Sequence, residues 1–225
     1  MNTSSRLLAG ATPWWRSFAG VLLLAALLSS AWAWWLIAAP VITLGNMPRH
    51  AGHFPLLYVH ALGGTTMLFL GAINLYIGST RRFFRYHRLV GTAYLVAGCI
   101  GVAVAIAITS SPAHKSDPAA TFTNTTISLL TLSAAWLAAA AMAWRAVRNR
   151  RYDSHRDWMF RSYVLVWAFV FCRLASRVPE VNDLGGGQAF IWLAWVGPLL
   201  VGELALQWRA GSAVAPTSSR QRRPA

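Results

Sequence analysis

Six long apolar runs, separated by short polar connections, dominate the sequence. Each run has about the 20 mostly apolar residues that a helix needs to cross the hydrocarbon core of a bilayer. The pattern therefore predicts an all-α protein, a polytopic transmembrane helical bundle. The expected spanning helices cover residues 18–39, 56–78, 86–109, 126–146, 158–178 and 188–208.

These spans form one predicted transmembrane domain, residues 18–210. It lies between a short N-terminal segment, 1–17, and a tail rich in Ser, Pro and Arg, 211–225, which is expected to be disordered. The first run has the position of a signal peptide, but its length and its Trp residues favour a retained helix. Pro198 lies inside the sixth run and predicts a kink there.

The charged residues support this interpretation and predict the orientation of the helices in the membrane. Only 12% of the residues are charged, against about 25% in soluble domains. All but four of the 20 Lys and Arg residues lie in alternate connections and in the tails, which predicts cytoplasmic N- and C-termini. The net charge of +14 then reflects topology, so the expected partner is the lipid bilayer and not nucleic acid. Arginine predominates over lysine as in GC-rich bacterial genomes, so the expected location is the inner (cytoplasmic) membrane.

Two histidines mark corresponding places in a weak internal repeat. His87 opens the third run and His155 opens the fifth, each followed by an arginine, Arg88 or Arg156. Neutral imidazole is the usual axial ligand of haem iron, and b-type haem needs no covalent motif. The pattern therefore predicts haem b held between His87 and His155, with the two arginines pairing with its propionates. The alternative is that both His-Arg pairs anchor the helices to phosphate headgroups.

A third histidine, His60, is predicted near the opposite surface, in the second run. A haem site there would need a partner from an external connection: His50, His53 or His114. Alternating spacings of four and three place His60 on a helix face with small and polar residues. This face predicts either close helix packing or room for a flat cofactor. Its other members are Gly64, Met67, Gly71, Asn74 and Gly78.

The few acidic residues suggest further chemistry. Glu203 lies inside the sixth run, where a carboxylate is costly and therefore a functional candidate. Glu203 would either take part in proton movement or be solvated at the interface. Arg173 is predicted near the opposite membrane surface, so the two residues are not expected to pair. Asp153 and Asp157 flank His155 and would orient its ring by hydrogen bonding, or simply balance the neighbouring arginines.

The unusual polar residues resemble the domain-of-unknown-function 2306 family of bacterial predicted membrane proteins. The family pattern has Gly-Arg where this chain has Gly91-Thr92, so the role of that arginine does not carry over. The resemblance implies a multi-span membrane protein without an established activity. A looser resemblance, to the cytochrome b561 type of bundle, implies haem held by paired histidines. The matching segments are His60–Gly64, His87–Gly91 with Tyr94, His155–Met159 with Arg161–Tyr163, and Arg173–Leu174.

Three functions stay open at this point. The first is a haem-binding redox protein that moves electrons between quinol, or a cytoplasmic donor, and a redox partner. The second is a small-solute or proton-coupled transporter that uses His60, Asn74 and Glu203. The third is a non-catalytic membrane scaffold in which glycines pack helices and arginines bind lipid. No nucleotide-binding, nucleophile-elbow or zinc-protease motif is present, so the sequence leaves open whether the protein is an enzyme.

Overall fold

The computed structural model describes residues 54–111, 123–175 and 188–212, with Glu180 and a few positions between 21 and 35. No strand occurs among these residues, so the predicted all-α class is confirmed. A 3₁₀ turn, Phe84–Tyr86, precedes the second of the helices. In chain order the helices are α1 (Phe54–Thr80), α2 (His87–Ser110), α3 (Asn124–Arg148), α4 (Tyr152–Val166), α5 (Ala168–Ala175) and α6 (Gln188–Ser212).

Four helical segments in the described ranges are long and apolar enough to cross a membrane. The shortest has 20 residues and therefore extends about 30 Å, the thickness of the hydrocarbon core. The four correspond to the second, third, fourth and sixth predicted spans. The first predicted span, 18–39, lies largely outside the described residues, as do 1–17 and the tail after Ser212, and the orientation of the termini stays a prediction. The four segments are Pro55–Thr80, Phe84–Ser110, Asn124–Arg148 and Ala189–Trp208.

The fifth predicted span is not one continuous helix. It begins earlier than expected, at Tyr152, and is interrupted at Trp167, which separates α4 from α5. The Trp167 N–H donates to the Val164 carbonyl three residues back (3.2 Å), and the ladder resumes with the Phe171 N–H donating to the Trp167 carbonyl (3.0 Å). A tightened turn of this kind interrupts an α-helix without Pro or Gly. By contrast, α6 continues without interruption through Pro198.

The chain divides into two compact units between Ser133 and Ala134, inside α3. In the first unit, α1 and α2 form a hairpin whose helices approach closely at Gly63. A methyl group on Gly63 would lie 3.4 Å from both the Ala97 carbonyl oxygen and the Gly101 Cα. Small residues allow such contacts in lipid, where the hydrophobic effect does not drive helices together. At the predicted Gly64, by contrast, no neighbouring atom of the described residues lies within 4 Å of an added methyl group, so the close approach falls on Gly63.

In the second unit, α4 and α5 both pack against α6. The close contact is at Gly202, where a methyl group would lie 3.2 Å from Phe160 Cε1. The turns after α1 and α3 each contain an arginine in the left-handed conformation: Arg81 (φ 60°) and Arg150 (φ 58°). The two hairpins of the predicted repeat thus share a turn feature as well as a histidine in the first turn of the next helix.

Candidate functional site

The His60 ring is fixed by the backbone of the neighbouring helix. It lies two turns into α1, and its Nδ1 is 3.0 Å from the carbonyl oxygen of Gly101 in α2. A carbonyl oxygen only accepts hydrogen bonds, so Nδ1 carries the proton and Nε2 of the neutral ring carries the lone pair. Gly101 is buried and has no side chain, which leaves room for the ring to reach its backbone. The arrangement sets the tautomer and the direction of the imidazole.

His87 lies at the opposite end of the same hairpin. It is the first residue of α2, and its ring lies over Gly78 of α1, where a methyl group would be 3.5 Å from Cε1. Phe84 stacks on the ring, with centroids 5.1 Å apart and planes 9° from parallel. The Nδ1 atom of His87 is buried. The His87 ring therefore packs against α1 at Gly78, at a distance that a methyl group would also accept.

The two histidines of the first unit are too far apart to share one ligand atom. His87 lies level with Gly78, and the 18 residues from His60 to Gly78 extend about 27 Å along α1. This distance is close to the thickness of the hydrocarbon core. One hairpin therefore carries a histidine near each of its ends.

Asn74 lies on α1 one turn before Gly78. It is 8% exposed, and its Nδ2 is 3.0 Å from the position that a methyl group on Gly91 would take. Within the described ranges, its Oδ1 is buried without a hydrogen-bond partner. Leaving such an acceptor unsatisfied costs about 1–3 kcal/mol. On the predicted polar face, Asn74 is therefore a residue whose burial carries the cost of an unsatisfied hydrogen-bond acceptor.

In the second unit, His155 shows the same feature as His60. Its Nδ1 is 2.9 Å from the carbonyl oxygen of Ala143 in α3, so this ring also carries its lone pair on Nε2. The Nδ1 atom of His155 is therefore oriented by a backbone carbonyl, and not by Asp153 or Asp157. The two carboxylates instead lie 3.4 Å and 3.5 Å from nitrogens of Arg156. This is the balancing role that the sequence offered as the alternative.

The two arginines expected to hold propionates are both at the surface. Arg88 is exposed on the first turn of α2. Arg156 is 55% exposed at its side chain and lies between two carboxylates. His87 and His155 belong to different units, so the expectation that they share one haem stays a prediction. Arg173 lies in α5, and its side chain is outside the described part of the chain.

Glu203 is bound by a partner that the sequence analysis did not identify. Arg161 donates to it through two nitrogens, Nε to Oε2 (2.8 Å) and Nη2 to Oε1 (3.0 Å), and Gln207 Nε2 donates to Oε1 (2.9 Å). The guanidinium also lies over the Trp158 ring, 4.7 Å from its centroid. By sequence alone, Arg161 groups with the basic residues of the connection before the fifth predicted span. The position of Glu203 could have indicated this partner, because a carboxylate inside a spanning helix needs a cation at its own depth.

No group of three or more His, Cys, Asp or Glu side chains that could hold a metal ion occurs in the residues described. A metal site built from protein ligands alone needs about that many. Haem needs fewer, because the porphyrin supplies four nitrogens and the protein only one or two axial ligands.

Comparison with known proteins identifies the family. A family described as a predicted membrane protein (DUF2306) matches residues 57–206, well over half of the 225 residues. The matched range contains His60, His87 and His155. No curated protein and no solved structure matches the chain. The chain therefore belongs to the DUF2306 family.

Proposed function

We propose that this member of the DUF2306 family is a membrane-embedded b-type haem protein that transfers electrons. The observation that carries the proposal is the pair of oriented rings, His60 on Gly101 and His155 on Ala143. Metal-binding histidines commonly donate their other N–H to a carbonyl or carboxylate, which fixes the ring and raises its basicity. Both rings have this arrangement, with Nε2 as the atom for iron.

The placement of the histidines supports electron transfer across the membrane. His60 and His87 lie near opposite ends of one hairpin, about 27 Å apart along α1. Two haems at these depths would connect the two faces of the bilayer. Quinol, or a donor at the cytoplasmic face, is the proposed source of electrons, and a second redox protein is the proposed acceptor.

The transport alternative receives less support. It rested on Glu203 as a proton carrier, and this carboxylate accepts hydrogen bonds from Arg161 and Gln207. Charge-assisted, bidentate bonding of this kind favours the ionised form and opposes proton uptake. The scaffold alternative accounts for the close approach at Gly63, but not for the oriented histidines.

The test is haem retention in single histidine variants. The full chain is expressed with ample haem supply, purified in detergent, and its absorption is recorded oxidised and then reduced. We expect His60→Gln and His155→Gln each to lower the haem-to-protein ratio, because glutamine fills similar space but is a poor iron ligand. Thr66→Val, a half-buried position on the same helix as His60 whose hydroxyl donates to the Leu62 carbonyl, is the matched control and should retain haem. Full haem retention in both histidine variants, or no haem in the parent protein, would contradict the proposal.

A further inference from the structure

A groove with a polar rim and an apolar wall lies at the turn between α3 and α4. Its volume is about 260 Å³. The rim consists of basic and hydrogen-bonding side chains, and the wall of two uncharged residues of α3. The lining residues are Arg145, Asn149, Arg151 and Ser154 at the rim, and Met142 and Ala146 on the wall.

No carboxylate among the described residues balances the charge of this groove. In the part of the chain that the structure describes, neither Arg145 nor Arg151 has a carboxylate within ion-pair distance. Arg156, one turn further along α4, differs because it lies near Asp153 and Asp157. Two guanidinium groups beside an amide and a hydroxyl are the donors that a phosphate oxyanion requires.

The position of the groove indicates the source of the phosphate. α3 is one of the helices long and apolar enough to span the bilayer, and it ends at Arg148, so the groove lies where a span leaves the hydrocarbon. Exposed aromatic side chains, Trp144 and Tyr152, lie close to it along the chain, at the same end of the hairpin. Such rings settle at the level of the headgroups. The wall at Met142 is on the side of the spanning segment, where an acyl chain would run.

We infer that this groove binds an anionic phospholipid, with the phosphodiester on Arg145 and Arg151 and an acyl chain along Met142 and Ala146. The site is independent of the proposed haem function. It requires both a negatively charged headgroup and an acyl chain. Inorganic phosphate and a zwitterionic lipid each lack one of these features.

The experiment titrates the purified full chain in a neutral detergent with short-chain phosphatidylglycerol. Short-chain phosphatidylcholine and inorganic phosphate are titrated in parallel, and the unfolding temperature gives the apparent Kd. We expect saturable stabilisation by phosphatidylglycerol, and an apparent Kd raised about tenfold or more in Arg145→Gln/Arg151→Gln. Arg82→Gln/Arg85→Gln removes the same charge from the other described turn and should leave the Kd unchanged.

Three outcomes would overturn the inference. One is an equal loss of binding in both double variants, which would mean that general charge is responsible. The second is equal stabilisation by phosphatidylcholine or inorganic phosphate. The third concerns Asn149→Asp, which places a carboxylate in the groove while keeping both arginines. This variant replaces the double variant as the test if the double variant fails to fold. Phosphatidylglycerol binding by Asn149→Asp as tight as that of the parent protein would also overturn it.

Discussion

The ion pair between Arg161 and Glu203 should stabilise the second unit through a measurable coupling energy. Its three nitrogen–oxygen contacts fall between 2.7 Å and 3.0 Å, and the side chains are 20% and 37% exposed. Fully exposed pairs contribute about 0.2–1 kcal/mol, whereas breaking a buried pair costs about 3–5 kcal/mol. The geometry and partial burial place this pair between these limits. We expect each single variant, Arg161→Leu or Glu203→Leu, to lose about 2 kcal/mol of unfolding free energy, and the coupling to be about 1–2 kcal/mol.

The assay is a double-mutant cycle on the detergent-purified chain, with the free energy of unfolding measured for the parent protein, both single variants and the double variant. A second cycle on Arg156 and Asp153, also involving α4, is the matched control. That pair is longer, at 3.4 Å, and its side chains are 55% and 93% exposed, so no measurable coupling is expected. Additive losses at Arg161 and Glu203, or an equal coupling in both cycles, would refute the reasoning from geometry and burial.

Two further predictions concern the backbone. Gly91→Ala should lower the unfolding temperature, because its methyl group would lie 3.0 Å from the buried Asn74 amide. Gly78→Ala meets the His87 ring at an ordinary 3.5 Å and should stabilise the chain by up to about 1 kcal/mol through helix propensity. A higher unfolding temperature for Gly91→Ala than for Gly78→Ala would contradict this. Arg150→Gly should stabilise the chain by about 0.5–1 kcal/mol in the same measurement, because glycine adopts the left-handed conformation without strain, and an unchanged or lower unfolding temperature would count against it.

Helix positions could be predicted from the sequence because a fixed physical length governs them. A bilayer requires about 20 apolar residues per span, and the described spanning segments agree with the predicted runs to within a few residues. The interruption at Trp167 could not be predicted in this way. It arises from a tightened backbone turn and carries no Pro or Gly signal.

The sequence singles out the candidate histidines but not their hydrogen-bond partners. His60 stands out as a rare polar group in an apolar run, and His155 by its place in the weak repeat. Their hydrogen-bond acceptors, however, are the backbone carbonyls of Gly101 and Ala143, which no side-chain pattern reveals. The close helix contact shows a similar limit. The spacing of small residues indicates a packed face, but one residue turns a helix by about 100°, enough to move the contact to Gly63.

The most direct test of the central claim is a reduced-minus-oxidised absorption spectrum of the parent protein. The full chain is purified in detergent from cells supplied with haem precursor, and its haem content is quantified against protein. The account predicts the spectrum of a b-type cytochrome, reversible on reoxidation, at about one haem or more per chain. A folded, monodisperse preparation without this spectrum would contradict it.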